Sequence, residues 1–520
     1  MNKPLPQGIS LEQFNGAIAE IIKIIGDEFV FTDDIKELRS YRDPYNTTRD
    51  EDFAPSAAVA PKTLEQIQQI LAVVNQYKIP VWTISTGKNF AYGGAAPRKP
   101  GYIVLDLKRM NRIIEVNEKH GYAVVEPGVS YYDLYNYIQE KGYKLWIDCA
   151  APAWGGIVGN TSDHGAGYTP YGDHLLMQCG MQVVLADGTV VETGVAGDSK
   201  ASSLYKYGQG PWVDGLFTQS NFGVITRMGI WLMPEPPGYT PFMVTLPHEQ
   251  DLELITDLAQ PLKLNMVIPN AATTVDLLWE AAMSHTKAQY YTGKGPMPDS
   301  ARKKLGADLG LGVWNFYAAV YGPPPIMKNN MDLIRDTFSK IPGAEFHYDD
   351  TRKGSPGWDY RVELMRGKPN MTEFSLLNWV GGGGHINFSP ISAVDGKDSY
   401  RQFDMIRKRA HEFGFDYIGE FLVGWRDQHH IFMLMFDRMN AEEKKRAHDL
   451  FDVLIDDAAN HGYGEYRTHL SFMDKIADSY CWNDSALLKA QQKIKDELDP
   501  NGILSPGKMG IWPKRMRGDS

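Results

Sequence analysis

The sequence predicts an α+β protein of at least two domains, and three observations support this. The chain has 520 residues, of which 43% are hydrophobic and 22% charged, as is typical of a globular protein with more than one domain. Stretches with the period of a helix alternate with short apolar strands along its length. The proline-rich segment Pro234-Glu235-Pro236-Pro237-Gly238 divides these elements into two parts and marks the predicted boundary.

The first part of the chain carries helix caps and hairpin turns. A helix begins after Thr63, which we expect to form a capping box with Gln66, and its apolar positions repeat at helical spacing to Tyr77. Another helix begins after Ser130 and ends at Gly142. Tight turns join two pairs of the predicted strands into hairpins. These strands cover residues 81–84, 102–107, 113–116, 122–125, 181–185, 190–193 and 223–233.

The second part predicts helices packed on a mostly antiparallel sheet. Its predicted strands cover residues 242–246, 314–321, 385–388, 416–424 and 431–436. Its predicted helices cover residues 251–258, 326–340, 399–412 and 441–460. We interpret prolines 323–325 as a break before the second of these helices.

Composition argues against several kinds of partner. The formal net charge is −11 and no basic run offsets it, so we expect no nucleic acid partner. The three cysteines, Cys149, Cys179 and Cys481, match neither a disulfide framework nor a metal site, so we expect no metal and a reducing compartment. The first residues lack the apolar core of a signal peptide, and no apolar run reaches membrane-spanning length. We therefore expect a cytoplasmic protein that does not bind a membrane.

Residues 85–94, with the sequence STGKNFAYGG, form a glycine-rich loop between two predicted strands. Glycine lets backbone N–H groups approach a ligand and point into one concavity, which suits a pyrophosphate. An ordinary surface loop explains the same residues. Two further glycine-rich stretches, 155–171 and 220–225, favour a large anionic cofactor. No strand is followed by G-x-G-x-x-G and a helix, so a nicotinamide site of the Rossmann type is not expected.

Two features near the end of the second part have both a structural and a catalytic interpretation. Glycines 381–384 precede His385, either as a flexible loop or as backbone that approaches a flat ring beside a nucleophilic histidine. Tyr466 and Arg467 lie in a polar run that is either a solvated surface or a pair able to hold a phenolate, because both side chains donate hydrogen bonds and arginine stays charged.

Glu420 lies inside an apolar strand, where a carboxylate is either paired in the core, for example with Arg426 or His429, or catalytic with a raised pKa. His429 and His430 are adjacent in another strand, so they point to opposite faces and do not share a metal ion.

Six long motifs occur together in this chain. They are STGKNFAYGGAAP at 85–97, GNTSDHGAGYTPYGDH at 159–174, SNFGVITRMGIWLMP at 220–234, GGGGHINFSP at 381–390, GEYRTHLSFMD at 464–474 and DPNGILSPGKMGIW at 499–512. With them, nearly the whole chain resembles the vanillyl-alcohol oxidase family of FAD enzymes. The resemblance implies an FAD-binding domain of the p-cresol methylhydroxylase (PCMH) type, formed by residues 1–237 and 462–520. It also implies an α+β cap domain on an antiparallel sheet, formed by residues 238–461.

The resemblance implies which residues hold FAD. His385 matches the histidine to which the family attaches the 8α-methyl group of FAD covalently. The cytochrome-linked branch uses a tyrosine eight positions earlier, where this chain has Leu377, and this excludes the tyrosine linkage. The other matching cofactor residues are Ser85, Thr86, Gly87, Lys88, Asn89, Phe90, Tyr92, Gly155, Gly156, Gly159, Asn160, Asn221, Ile225 and Lys508.

The phenolate-binding residues of the family match Tyr92, Tyr466 and Arg467, and a further active-site tyrosine matches Tyr168. The resemblance therefore implies a small phenolic substrate.

One position departs from the family pattern. The oxidases carry an aspartate near flavin N5, and Ala151 takes its place here. We expect Glu420 to take over the acid–base role. Glu373, Ala151 and His429 are expected to line the substrate pocket.

These matches imply an FAD-dependent oxidase of para-substituted phenols, such as 4-ethylphenol and other 4-alkylphenols, or 4-hydroxybenzylic alcohols. Hydride leaves Cα for flavin N5 and a p-quinone methide forms, which either adds water or loses a proton to give a vinylphenol. Molecular oxygen reoxidises the flavin and yields hydrogen peroxide. A dehydrogenase that passes electrons to a cytochrome and a flavin-binding protein without turnover remain alternatives. We expect a homodimer or a larger homo-oligomer.

Overall fold

The computed structural model describes residues 4–33, 36–195 and 199–518. Their strands form a four-stranded, a five-stranded, a two-stranded and a nine-stranded sheet. The first three sheets belong to the part of the chain before the proline-rich segment, and the nine-stranded sheet begins directly after it. Among the described residues, no helix is long and apolar enough to cross a membrane.

The four-stranded sheet has the order β1-β2-β4-β3, with β2, β4 and β3 parallel. Two amphipathic helices pack against it and against each other. These elements are α1 (Leu11–Ile25), β1 (Val30–Phe31), β2 (Ala57–Val59), α2 (Leu64–Tyr77), β3 (Val81–Ile84) and β4 (Ile103–Asp106).

Helix α2 begins as predicted, because the Thr63 side chain accepts from the N–H of Gln66. The reciprocal bond of a capping box is absent: the Gln66 side chain accepts from Lys62 N–H instead.

The five-stranded sheet is antiparallel, with the order β5-β6-β10-β8-β9, and it contains both predicted hairpins. The elements here are β5 (Ile113–Asn117), β6 (Tyr122–Val125), α3 (Tyr131–Lys141), β7 (Leu145–Trp146), α4 (Ile157–Ser162), β8 (Gln178–Val184), β9 (Val190–Glu192), β10 (Val224–Trp231) and β11 (Met233–Pro234). The predicted single strand over 223–233 is therefore two strands, and β11 turns away to pair with β7.

The nine-stranded sheet is antiparallel throughout, as the sequence predicts. Its order is β15-β12-β14-β13-β18-β19-β17-β20, and β16 also pairs with β19. The strands are β12 (Tyr239–Leu246), β13 (Ala272–Asp276), β14 (Trp314–Tyr321), β15 (Glu345–His347), β16 (Gly384–Phe388), β17 (Pro390–Ala393), β18 (Gly419–Val423), β19 (Asp427–Phe436) and β20 (Gly464–Glu465).

Helices follow and interrupt these strands. They are α5 (Asp251–Leu264), α6 (Leu277–Ala282), α7 (Asp299–Leu309), α8 (Pro324–Phe338), α9 (Asp349–Arg352), α10 (Pro356–Leu364), α11 (Gly396–Glu412), α12 (Ala441–Asn460), α13 (Met473–Ser479) and α14 (Trp482–Leu498). The interpretation of prolines 323–325 as a break is wrong in part, because Pro324 and Pro325 form the first turn of α8. Proline is favoured there, since the N–H groups of a first turn have no helical partner.

Alternation along the strands gives the nine-stranded sheet two different faces. Helices α5, α8, α11 and α12 cover one face and form a continuous apolar core with it. In β18 and β19 this core contains Phe421, Val423, Phe432 and Leu434. The residues between them belong to the opposite face, which turns toward the glycine-rich loops.

Candidate active site

A cavity lies where this opposite face meets the glycine-rich loops of the first part of the chain. The space open to the centre of a water molecule is about 280 Å³. Strands β16, β18 and β19 supply one wall at alternating positions. These residues are His385, Asn387, Glu420, Leu422, Ile431 and Met433. Their strand register places Glu420 beside Ile431 and Asn387 beside Met433, so one sheet surface carries both the apolar and the titratable groups.

The other wall comes from the loop after β3, the region around α4, the start of β10 and the C-terminal segment. Almost all the predicted cofactor residues line it, namely Ser85, Thr86, Gly87, Lys88, Asn89, Phe90, Tyr92, Gly155, Gly156, Gly159, Asn160, Ile225 and Lys508. Lys508 forms an ion pair with Asp163, with 3.0 Å between Nζ and Oδ1. The three glycine-rich stretches thus converge on one cavity although up to 140 residues separate them in sequence.

Two features of this wall fit FAD. Within the described residues, the backbone N–H groups of Thr86, Gly87, Lys88 and Asn89 have no protein acceptor, although they line the cavity. A row of free donors of this kind suits a pyrophosphate. Close packing also requires a glycine at position 159, because a Cβ atom there would lie 2.1 Å from Ser85 Oγ.

Asn221 does not line the cavity, in contrast to the other predicted cofactor residues. Its buried side chain donates to the backbone oxygens of Ser505 and Ile511 at 3.1 and 2.8 Å. Asn221 therefore holds the C-terminal segment that carries Lys508.

Tyr92, Tyr466 and Arg467 come together as the resemblance implies. Arg467 Nη2 donates to the Tyr466 hydroxyl at 3.1 Å, and its guanidinium carbon lies 4.4 Å from the centre of the Tyr92 ring. Burial alone would lower the pKa of Arg467, but Tyr466, Tyr92 and Asp163 outweigh this effect and raise the pKa, so the cation persists. Burial raises the pKa of Tyr466, which keeps it a neutral donor. The group can therefore stabilise an oxyanion.

His429 lies behind this group and does not line the cavity. Its ring centre is 4.5 Å from that of Tyr466, and its Nε2 lies 3.3 Å from Asp427 Oδ2. His430 points to the helix-covered face, where it pairs with the Tyr417 hydroxyl at 2.7 Å. The prediction that the two histidines occupy opposite faces is confirmed, and His429 contacts the cavity residue Tyr466 without lining the cavity itself.

His385 is buried at the start of β16, directly after the glycine run. Its Nδ1 lies 2.9 Å from Asn387 Oδ1, so Nδ1 carries the proton and Nε2 keeps its lone pair. Burial lowers the pKa of His385 to about 4, so the imidazole is neutral near pH 7. A neutral imidazole is a nucleophile, as the covalent attachment of a flavin would require.

Glu420 both lines the cavity and is paired in the core. Its partner is Arg361, with 3.1 Å between Nη1 and Oε2, and neither Arg426 nor His429. Burial raises the pKa of Glu420, and Arg361 opposes this shift. The sequence could not identify Arg361, because it is 59 residues away and lies in an unremarkable helical segment.

Glu373, Tyr168 and Ala151 also line the cavity, as expected. Tyr360 donates its hydroxyl to Glu373 Oε2 at 2.5 Å. Burial raises the pKa of Glu373 to about 7. Burial likewise raises the pKa of Tyr168, so its hydroxyl is neutral. Ala151 leaves the adjoining stretch of wall without a side chain able to exchange a proton.

Sequence reasoning also missed apolar residues of the cavity, among them Trp279, Phe374, Leu422 and Met433. Leu422 and Met433 had a usable signal, because each lies two residues from a cavity residue on the same strand. Trp279 and Phe374 lie in α6 and in a 3₁₀ segment over 372–380, and neither element was predicted.

Two protein-family models match the chain. The model described as an FAD binding domain matches residues 55–194, and the model described as the C-terminal domain of FAD linked oxidases matches residues 279–509. The flavoprotein subunit of 4-cresol dehydrogenase (hydroxylating) from Pseudomonas putida is 42% identical over 514 residues, which cover 98% of both chains.

Solved structures show the same similarity. p-Cresol methylhydroxylase with substrate bound has a TM-score of 0.96 and 42% identity, covering 98% of this chain and 99% of the other. The isoeugenol complex of 4-ethylphenol oxidase from Gulosibacter chungangensis has a TM-score of 0.96 and 40% identity, covering 99% and 100%. The predicted α+β fold with a PCMH-type FAD-binding architecture is therefore confirmed.

Proposed function

Because the chain belongs to the vanillyl-alcohol oxidase family of FAD-linked oxidoreductases, we propose that it oxidises para-substituted phenols. The proposed substrates are 4-alkylphenols such as 4-ethylphenol, and 4-hydroxybenzylic alcohols. One observation carries the proposal: the half-buried Arg467 lies against Tyr466 and Tyr92 in the same cavity as the glycine-rich loops. Residues 1–237 and 462–520 would form the FAD-binding domain, and residues 238–461 the cap.

In this proposal FAD, bound by the glycine-rich loops and covalently by His385, supplies a hydride acceptor at N5 whose electrons pass on to molecular oxygen. Arg467, Tyr466 and Tyr92 bind the ionised phenol oxygen. A phenolate raises the electron density at the para carbon, so a hydride leaves the adjacent Cα more readily. Donors placed where the charge lies need not reorganise during the reaction, and such placement is usually the largest contribution to catalysis.

Loss of hydride from Cα turns a 4-alkylphenolate into a p-quinone methide. Water can add to Cα and give an alcohol, or Cβ can lose a proton and give a vinylphenol. Ala151 cannot act as a base, so we assign the proton transfer to Glu420, which lines the cavity in an apolar strand. The raised pKa of Glu420 suits a group that exchanges protons near neutral pH. We therefore propose a mixture of vinylphenol and alcohol from 4-ethylphenol.

A dehydrogenase is the second candidate, and the 42% identity to the 4-cresol dehydrogenase subunit favours it. Leu377 favours the oxidase instead. The cytochrome-linked branch attaches its flavin through a tyrosine at this position, and here His385 is the residue able to hold the flavin. The two candidates differ only in the group that takes the electrons.

The experiment that separates them begins with enzyme reduced by 4-ethylphenol without oxygen. The sample is then mixed with aerated buffer, or with an oxidised cytochrome c in anaerobic buffer. We expect the flavin absorbance to return in air at the turnover rate, with one hydrogen peroxide per reduced flavin. Fast return with the cytochrome and slow return in air would support the dehydrogenase. A flavin that 4-ethylphenol does not bleach would indicate a flavin-binding protein without this activity.

A further inference from the structure

A buried ion network lies behind the cavity wall, outside the residues that the resemblance assigns. Arg361 is 1% exposed and bridges two carboxylates. Its Nη1 donates to Glu420 Oε2 and its Nε donates to Glu280 Oε1, each at 3.1 Å. Tyr317 donates its hydroxyl to the other oxygen of Glu280 at 2.9 Å, and Arg361 also reaches Thr273 Oγ1 at 3.2 Å. Glu280 is thus held from two sides and fixes the guanidinium.

The ion pairs of Arg361 lack the geometry that gives the strongest stabilisation. The strongest arginine–carboxylate pairs are bidentate, but Arg361 gives one nitrogen to each carboxylate. Its Nη2 is buried and has no partner among the described residues. Buried ion pairs often contribute little net stability, because the cost of removing the charges from water offsets their attraction. A stabilising role therefore does not account for this arrangement.

The network fixes one oxygen of Glu420 and leaves the other available. Oε2 is bound by Arg361, whereas Oε1 has no protein partner within the described part of the chain, and Glu420 lines the cavity. The side chain consequently cannot turn both oxygens away from a bound substrate without breaking its bond to Arg361.

We infer that Arg361, anchored by Glu280, is a positioning residue that aims Glu420 at the Cα–Cβ end of the substrate. The inference rests on the proposed function. In the p-quinone methide, either water bonds to Cα and gives a proton to Glu420, or Cβ gives the proton and a C=C bond forms. In both cases the ring carbonyl oxygen becomes a phenolate. The position of Glu420 decides which proton it reaches, so the ratio of alcohol to vinylphenol reports that position.

The test compares Arg361→Gln, Arg361→Lys, Glu420→Gln and the double variant Arg361→Gln/Glu420→Gln. Arg302→Gln is the matched control, because Arg302 pairs with the buried Asp276 at 2.8 Å and neither residue lines the cavity. Products from 4-ethylphenol are quantified by chromatography, and kcat, KM and the melting temperature are measured for each variant. The product ratio is informative because replacing a purely structural residue would lower the melting temperature and leave the product ratio unchanged.

We expect Arg361→Gln to change the product ratio and to lower kcat by about 10- to 100-fold. Arg361→Lys should restore part of the wild-type ratio, because it keeps the charge. In the Glu420→Gln background, Arg361→Gln should change the ratio no further, since the two residues act as one unit. Arg302→Gln should lower the melting temperature and keep the wild-type ratio.

A wild-type product ratio in Arg361→Gln would overturn the inference. So would a change in the ratio caused by Arg361→Gln that is equally large in the wild-type and Glu420→Gln backgrounds. An equal change in Arg302→Gln would overturn it too. If Arg361→Gln does not fold, Arg361→Lys and Glu280→Gln take its place, and wild-type ratios in both would refute the positioning role. Failure of the wild-type enzyme to oxidise 4-ethylphenol would instead refute the proposed function itself.

Discussion

Arg467 gives the cavity a positive charge in a place that water does not reach freely. Desolvation disfavours the Arg467 cation, because burial penalises an unpaired charge, and Asp163 is the nearby carboxylate that offsets part of this cost. The Nε of Arg467 is also buried without a hydrogen-bond partner among the described residues. The proposed phenolate would provide a second counter-charge, inside the cavity.

Tyr466→Phe and Arg467→Ala should each lower kcat/KM steeply, because a buried phenolate loses a charge-assisted partner. The expected loss is about 2–4 kcal/mol of transition-state stabilisation. Steady-state kinetics with 4-ethylphenol measure it. Tyr463→Phe is the control, since its hydroxyl binds Asp398 and does not line the cavity. Wild-type efficiency in Tyr466→Phe and Arg467→Ala would show that the phenol oxygen binds elsewhere.

His385→Ala should fold and bind FAD without a covalent bond. This prediction is based on the neutral imidazole of His385, which lines the cavity and has an unprotonated Nε2 able to bond to the flavin. In-gel flavin fluorescence after denaturation measures the covalent fraction, which should be high in the wild type and absent in the variant. Leu377→Ala serves as the control and should keep the bond. Covalent flavin in His385→Ala would place the attachment on another residue.

At the scale of single elements, alternation along the strands explains much of what the sequence could predict. Glu420 was recognisable because it interrupts an apolar strand, and His385 because it follows four glycines. Arg361 and Glu280 were not, because the contacts that define them join positions 81 residues apart. Pairing across such distances depends on the whole sheet and leaves no local pattern.

Gly159 lies where the start of α4 packs against Ser85 in the loop after β3. A Cβ at position 159 would lie 2.1 Å from Ser85 Oγ, whereas a Cβ at position 215, outside the cavity lining, would make only an ordinary contact 3.9 Å from Trp212. Gly159→Ala should therefore displace Ser85 and yield protein with less FAD, while the control Gly215→Ala should retain it. The ratio of flavin to protein absorbance in purified samples measures the difference. Full flavin content in Gly159→Ala would show that the loop does not hold the cofactor as proposed.

At the scale of the whole molecule, the cavity needs residues from both ends of the chain. Strand β20 pairs with β17, and the next residues, Tyr466 and Arg467, return to the loop that carries Tyr92. The sequence predicted this return only through the resemblance, because nothing in a local pattern shows that residue 467 meets residue 92. The proline-rich segment, in contrast, was visible from composition alone, and the nine-stranded sheet begins directly after it.

The central claim is that the protein oxidises a phenol as its phenolate. The most direct test mixes the enzyme without oxygen with 4-ethylphenol, or with its methyl ether 1-ethyl-4-methoxybenzene, and follows the flavin absorbance in a stopped-flow instrument. The ether keeps the ring and the ethyl group but cannot ionise. We expect 4-ethylphenol to bleach the flavin and the ether to leave it oxidised. Bleaching by the ether at a comparable rate would contradict the phenolate mechanism and the role given to Tyr92, Tyr466 and Arg467.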